Sequence, residues 1–449
     1  MHVVIIGAGE VGGYLAERLR SEGLDVVVIE TDPIRASAIG ADLDVQVING
    51  SGSNPSVLIE AGIGRADLLA AVTQNDEVNL IASLLAKQHG VKTTVVRVVS
   101  DAMRGKDAVA LLSAVGADVV VDPDAETADE ILELVHTTGA DEVYPMSNGE
   151  LVVIGAFVSD NAPLANRSLE EIGRSLGEEW DFLFGAITRN GDTVIPRGAQ
   201  MLLPGDHVRV LSRASAQSDL LRLLGVANSR ARKVMVLGGG AVGSRVAGRL
   251  EDEGVEVVLI ERDEDRASDL SKSFRRTMVV RGDVTDTELL LEEGVGDMDA
   301  VVAATGEDAS NVLACAYAIA EGAKFTVAVL HRLALLPLVR RFGIDAALSP
   351  RTASANSVLR AVRGDTTAVT TFLEGDSEVD ELEISVGSKA DGAVVADLPL
   401  PKNILIGAVV RAGEQARIVR GRTRLQAGDH IIVFGRPNAL AAVRPLFRT

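Results

Sequence analysis

The chain has 449 residues, with 64 acidic against 44 basic side chains and a formal charge of −20, which makes room for two to four domains. That excess of carboxylates excludes a nucleic-acid binder built on phosphate neutralisation, and a protein lying unaided on an anionic membrane. The single cysteine, Cys315, excludes a disulfide framework or cysteine metal cluster within one chain, and no apolar run reaches the ~18 residues of a membrane span.

The N-terminus enters an apolar strand at once, which argues against a signal peptide and for a cytoplasmic protein. His2-Val3-Val4-Ile5-Ile6 runs into Gly7-Ala8-Gly9-Glu10-Val11-Gly12, a helix-compatible stretch to Arg20, and a second strand Val26-Val27-Val28-Ile29 ending on Glu30. This is the order of a dinucleotide fingerprint. Gly7 allows the tight turn, Gly9 lets backbone approach a pyrophosphate, and Gly12 lets helix and strand pack closely. The helix N-terminus offers free N–H groups to the anion. Glu30 stands where a carboxylate accepts both ribose hydroxyls and repels a 2′-phosphate, favouring NAD(H) or an adenosine nucleotide over NADP(H).

Further strands are predicted at Val45 to Ile48, Leu68 to Val72, Thr94 to Val99 and Asp118 to Val121, with helices between them. Their apolar character suits a parallel sheet covered on both faces. The helix from Ala125 to Val135 has no obvious strand to return to, and is expected to leave the sheet and pack elsewhere, as a bridging or subunit-interface element. From Leu151 the period shortens to β runs with turns at Asn190-Gly191 and Pro204-Gly205-Asp206, a small α+β lobe. Ala227 to Arg232 reads as a linker.

The plan then repeats. Val234 to Leu237 leads into Gly238-Gly239-Gly240-Ala241-Val242-Gly243, and a following strand ends on Glu261, at the offset that separates the first glycines. Arg281-Gly282-Asp283 answers Asn49-Gly50-Ser51, and the run around Thr305 answers Thr73-Gln74-Asn75-Asp76. Gly407 to Gly413 parallels Gly185 to Gly191, and Gly428-Asp429-His430 mirrors Gly205-Asp206-His207. Two fingerprints in one register mean internal duplication. The expected fold is α/β, a duplicated Rossmann-like doubly wound parallel sheet with each copy followed by a small α+β lobe. The expected boundaries are 1–140, 141–226, 231–365 and 366–449.

Both glycine loops with their acids, the run Ala71 to Asn79, Arg97, and the doubled small lobe with Ala408-Val409-Val410-Arg411 resemble the TrkA family over essentially the full length. These are cytosolic nucleotide-binding subunits of Trk potassium-uptake systems, related to domains that regulate potassium conductance. The resemblance implies a homotetrameric ring, peripheral to the inner face of the cell membrane, docked under a membrane potassium-transport subunit (TrkH/TrkG-like). Its shape would be set by bound NAD(H), with ATP/ADP as the alternative at one or both sites. The expected nucleotide-binding residues are Gly7, Ala8, Gly9, Glu10, Val11, Gly12, Glu30, Ser51, Thr73, Gln74 and Arg97. In the second repeat they are Gly238, Gly239, Gly240, Ala241, Val242, Gly243, Glu261, Asp283 and Thr305.

The repeats differ at Arg97 against Val329 and Ser51 against Asp283, so the first reads as the surer dinucleotide site. The second stays open to a different adenine nucleotide or to degeneracy. Plainer readings stand beside several of these residues. Asp76 reads as a helix cap as readily as a ligand, Asp32 and Asp263 as solvated loop acids, and His207 and His430 as structural rather than metal-binding. The acidic run Glu374, Asp376, Glu378, Asp380, Glu381 and Glu383 reads as a solvated edge rather than a cation site. An NAD-dependent oxidoreductase or epimerase is the alternative function. It would need an acid/base group beside the nicotinamide, and Tyr144 and Tyr317 stand without a lysine at the required spacing, so no catalytic residue and no metal ligand is expected.

Overall fold

A computed structural model describes residues 1–177, 180–226, 229–363, 366–371 and 377–448. Part of the expected linker, Ala227 and Asn228, lies outside them, as do Glu374 and Asp376 of the acidic run. The chain divides into two compact units, Met1–Pro123 with Arg351–Val369, and Asp124–Pro350 with Thr370–Thr449.

In the first unit, strands β1 (His2–Ile6), β2 (Asp25–Glu30), β3 (Gln46–Asn49), β4 (Leu68–Ala71), β5 (Thr93–Arg97) and β6 (Val119–Val121) form one parallel sheet in the order β3-β2-β1-β4-β5-β6. Ile5 pairs with Val28 on one side and Ala70 on the other, all three fully buried. The connections leave β1 in opposite directions, which opens a crevice at the carboxyl ends of β1 and β4. Helices α1 (Glu10–Ser21), α2 (Pro33–Leu43), α3 (Pro55–Glu60), α4 (Asp76–Gln88) and α5 (Lys106–Ala114) make the crossovers.

Three of these helices begin on side-chain caps. Asp32 accepts from the N–H of Ile34 and Arg35, Asn54 from Ser56, and Asn75 from Val78. Asp32 and Asp263, read as solvated loop acids, also cap helices, Asp263 by accepting from the Arg266 N–H. One expectation is corrected here. The α4 cap is Asn75, not Asp76. Asp76 is buried, and its carboxylate accepts from the N–H groups of Val99 and Ser100 at 2.8 and 2.9 Å, which fixes the chain leaving β5.

The second unit holds the second parallel sheet, in the same order: Met278–Arg281, Glu256–Glu261, Lys233–Leu237, Ala300–Ala303, Thr326–Val329 and Ala346–Leu348. Helix α6 (Pro123–His136), expected to leave its sheet, does so. Ala128, Ile131, Leu132 and Val135 share a core with Val234, Val242 and Val246 of the second repeat. The helix Pro350–Arg363, which ends the second repeat in sequence, makes the reciprocal move. Its Ala355, Val358, Leu359 and Val362 share a core with Val3, Val11 and Leu15 of the first repeat. The four apolar positions correspond one for one, so each repeat's last helix covers the other repeat's sheet.

The first small lobe is an antiparallel sheet ordered Asp192–Val194, Phe182–Arg189, His207–Arg213, Leu151–Phe157, Glu142–Met146. The hairpin turn at Asn190 and Gly191 has φ of 53° and 86°, left-handed values that asparagine and glycine tolerate. The second lobe repeats the design with strands Glu378–Glu383, His430–Gly435, Ile404–Val410 and Arg417–Ile418. In each lobe one central antiparallel strand pair carries a register shift, at Gly185 and at Gly407. A Cβ at Gly185 would lie 2.4 Å from the Phe434 ring, and one at Gly407 would lie 2.8 Å from Leu211. The lobes therefore pack strand to strand through matching glycines.

Lobe polarity follows the duplication. Asp206 takes both guanidinium bonds of Arg189, at 2.6 and 2.7 Å, and Asp429 takes those of Arg411, at 2.7 and 2.9 Å. The expected solvated acidic edge is corrected: Glu378 and Asp380 are fully buried, and Arg444 donates to Asp380 at 2.7 Å. The buried Glu381 accepts from the Ser147 N–H at 3.0 Å.

Candidate functional site

The first crevice is built on the β1–α1 turn. Gly7 has φ +99°, and a Cβ on Gly12 would sit 1.8 Å from the Gly7 carbonyl oxygen, so both glycines are required by the turn and its packing. Gly9 differs. It starts α1 with no side-chain cap, and a Cβ there would meet nothing within 4 Å. The fold alone does not demand glycine at this position; a ligand approaching the uncapped N–H groups of α1 would.

Glu30 is buried beneath the turn. Its Oε2 accepts from the Ala8 N–H at 2.6 Å, and its Oε1 from the Asp32 N–H at 2.8 Å and the Thr31 hydroxyl at 3.2 Å. Burial alone would raise this carboxyl. The donors Asp32, Ala8 and Thr31, with the charge of Arg35, outweigh it and hold the group below its ordinary range. A carboxylate has about four acceptor sites, so three bonds leave capacity for one more. The two ribose bonds expected of Glu30 exceed that capacity unless one of these bonds yields.

Thr73 and Gln74 follow β4 on the other wall. The Thr73 hydroxyl donates to Asn79 Oδ1 at 2.7 Å, and Asn79 Nδ2 donates to the carbonyls of Thr73 and Arg97 at 3.1 and 3.0 Å. Asn79, fully buried, thus ties the ends of β4 and β5 together rather than facing a ligand. Gln74 is exposed, and Arg97 ends β5. Ser51 bonds Ser53 across its own loop at 2.8 Å. A cleft of about 440 Å³ lies against the turn, lined by Ala8, Gly9, Glu10, Arg35, Ile39 and Arg351. It brings together the glycine-loop residues; Ser51, Thr73, Gln74 and Arg97 are not among its lining residues.

The second repeat reproduces these features. Gly238 has φ +103°, a Cβ on Gly243 would sit 1.9 Å from the Gly238 oxygen, and one on Gly240 would again meet nothing. Glu261 accepts from the N–H groups of Gly239 and Asp263, both at 2.8 Å. Thr305 and Asn311 repeat the Thr73–Asn79 bonds, with Asn311 reaching Val329.

The family model of the TrkA-N domain matches residues 3–123 and 234–350, and that of the TrkA-C domain matches 153–225 and 380–448. A Trk system potassium uptake protein TrkA homolog of Archaeoglobus fulgidus is 34% identical over 448 residues, covering 100% of both chains. The chain belongs to the TrkA family. Trk system potassium uptake protein TrkA from Halomonas elongata is also 34% identical, over 97% of this chain and 95% of its own. Among solved structures, the GsuK RCK domain shares the fold at a TM-score of 0.61 and 19% identity, over 99% of this chain and 95% of that one. The GsuK channel bound to NAD does so at 0.62 and 18%, over 100% of this chain and 79% of that one.

The two TrkA-N repeats are not equivalent. Where Ala8 stands in the first, the second has Gly239, because a Cβ there would come within 2.5 Å of Leu270. Arg266, the counterpart of Arg35, donates its Nε–H to the Gly239 carbonyl, so it is engaged by the glycine loop itself. Asp283 accepts from the Thr285 N–H and hydroxyl at 2.9 and 2.7 Å, which holds its carboxyl below the ordinary range and closes a local turn. Arg35 and Arg351 were missed in the sequence. Arg35 was findable as the first basic residue of the helix after Glu30. Arg351 was not, because nothing local says that its helix crosses to the first sheet.

Among the described residues, no group of three His, Cys, Asp or Glu is placed to hold a metal, and no helix is long and apolar enough to cross a membrane. His207 bonds Asp141 at 2.9 Å and packs on Phe157, and His430 lies 3.5 Å from Glu381.

Proposed function

We propose that this TrkA-family chain is the cytoplasmic nucleotide-sensing subunit that gates a membrane potassium-transport partner, TrkH/TrkG-like, as a tetrameric ring. NAD(H), ATP and ADP are the ligands, held by the glycine loops and by Glu30 and Glu261, with Thr73 and Thr305 on the facing wall. The working parts are two nucleotide-binding domains, 1–140 and 231–365, and two regulatory lobes, 141–226 and 366–449. The potassium role rests on the full-length likeness to proteins named for potassium uptake. The NAD-bound GsuK channel is a case of this fold carrying the ligand.

The observation that carries nucleotide binding is the pairing of obligatory and unobstructed glycines. Gly7, Gly12, Gly238 and Gly243 are fixed by backbone geometry, whereas Gly9 and Gly240 face open space at uncapped helix starts. A catalytic role has less support. Tyr317 donates its hydroxyl to the Thr287 carbonyl at 3.3 Å, and burial pushes the Tyr144 phenol well above its ordinary value. A nucleotide preferring one angle between lobes would shift a two-state ring by its difference in affinity, and only by that. Calorimetry of NADH and ATP with the purified chain tests the reading. Binding lost stepwise in Gly9→Asp and Gly240→Asp supports it, and undiminished binding in the double variant contradicts it.

A further inference from the structure

The cleft over the first glycine loop receives a residue from far along the chain. Arg351, second residue of the helix Pro350–Arg363, places its guanidinium 2.7 Å from Glu10 Oε1, and Glu10 is the first residue of α1. The Arg351 Nε is buried and has no hydrogen-bond partner among the described residues. Arg35 lines the same cleft from α2. The cleft therefore offers two guanidinium groups beside an uncapped helix start. The only carboxylate among its lining residues, Glu10, sits where the helix dipole favours an anion.

The reciprocal helix fixes what stands in the second repeat. Arg363 pairs with Glu22 on the first sheet's helix, and His136 pairs with Glu253 at 2.7 Å on the second. With Ala128, Ile131, Leu132 and Val135 matching Ala355, Val358, Leu359 and Val362, the register of the two exchanged helices is set. In that register Arg351 corresponds to Asp124, and Glu10 corresponds to Ala241. The exchanged helix thus brings a cation to the first loop, and at the corresponding position of its counterpart the sequence has a carboxylate.

We propose that Arg351 reads the phosphate charge of the nucleotide in the first cleft, and that Asp124 turns the second cleft against that charge. The inference rests on the nucleotide-binding reading above. It assigns the more highly charged ligand, a nucleoside triphosphate, to the first cleft. The second is left with the less charged dinucleotide, the reverse of what Arg97 and Asp283 suggest in the sequence. Glu10 acts as a stand-in anion: it holds Arg351 while the cleft is empty, and an arriving phosphate takes its place. The exchanged helix would thereby report first-site occupancy to the part of the chain that follows the second repeat.

Calorimetry with ATP, AMP and NADH, without added divalent cation, tests this in two backgrounds. Gly240→Asp leaves only the first cleft, and Gly9→Asp only the second. In the first background, Arg351→Gln should weaken ATP by roughly 10- to 100-fold, the worth of a charge-assisted bond, and AMP far less. Arg351→Lys should recover part of the loss, and Glu10→Gln should tighten ATP. In the second background, Arg351→Gln should change nothing, while Asp124→Asn should tighten ATP relative to NADH. An ATP-to-AMP ratio unmoved by Arg351→Gln, or equal loss of all three ligands, would overturn the proposal while leaving nucleotide binding intact. Absence of binding in the chain without substitutions would overturn both.

Discussion

Single residues divide into those the backbone demands and those it leaves open. Gly12→Ala puts a Cβ 1.8 Å from the Gly7 carbonyl oxygen, so the turn must open, and we expect a fall in melting temperature before any effect on ligand. Gly9→Asp meets no neighbour, so the melting temperature should hold while first-site binding disappears. A large destabilisation by Gly9→Asp, seen by thermal denaturation, would mean that this glycine is structural too. The salt bridge of Arg209 with Glu142, at 2.6 and 2.8 Å, is fully buried on the arginine side. Removing one partner, as in Glu142→Gln, takes the paired carboxylate from a fully buried guanidinium and should cost about 3–5 kcal/mol in denaturant unfolding, whereas Arg209→Met with Glu142→Leu should restore much of it.

One residue predicts a pH dependence. Burial, then the negative charges of Glu126, Glu142 and Asp129, raise the Glu130 carboxyl from 4.5 to about 8. The folded chain therefore binds this proton more tightly than the unfolded chain. Its stabilising contribution is complete below 4.5 and is lost as pH rises through about 8. Melting temperatures should fall across that rise, and Glu130→Gln should flatten the slope. An unchanged slope in that variant would assign the dependence to other groups.

Elements were legible in the sequence where apolar period and glycine spacing were strong, and less so where a partner lay far away. Both parallel sheets follow from runs such as Val26 to Ile29, and the duplication from the offset of the two glycine loops. The departure of α6 was legible as a helix with no returning strand. Its destination was not, because Ile131 and Val358 look like any helix core residue until the two sheets are seen. The acidic strand was misread for the same reason: the Arg444 that neutralises Asp380 lies 64 residues away in sequence. Arg351 was invisible on these grounds, although Gly9, which lines the same cleft, was plain. The exchanged helices make an element-scale prediction. Val358 and Leu359 are fully buried, so Leu359→Ala should cost the first unit about 2–5 kcal/mol. Hydrogen exchange should show β1 and β4 losing protection while the second sheet keeps its own. Equal loss in both would contradict the assignment of this helix to the first unit.

At the scale of the whole molecule, duplication gives two unequal glycine loops, and the last helix of each repeat covers the sheet of the other. On the proposed reading, the two repeats exchange a signal between bound nucleotides. Coupling of this kind is typically about 1–3 kcal/mol, roughly 5- to 150-fold in affinity, and it is reciprocal. The most direct measurement is potassium flux through the reconstituted membrane partner, recorded while ATP is titrated with and without saturating NADH. The account predicts that flux follows first-cleft occupancy, that NADH shifts the ATP midpoint within that range, and that Gly9→Asp removes the ATP response. Flux that ignores both ligands, at concentrations where calorimetry shows them bound, would contradict it.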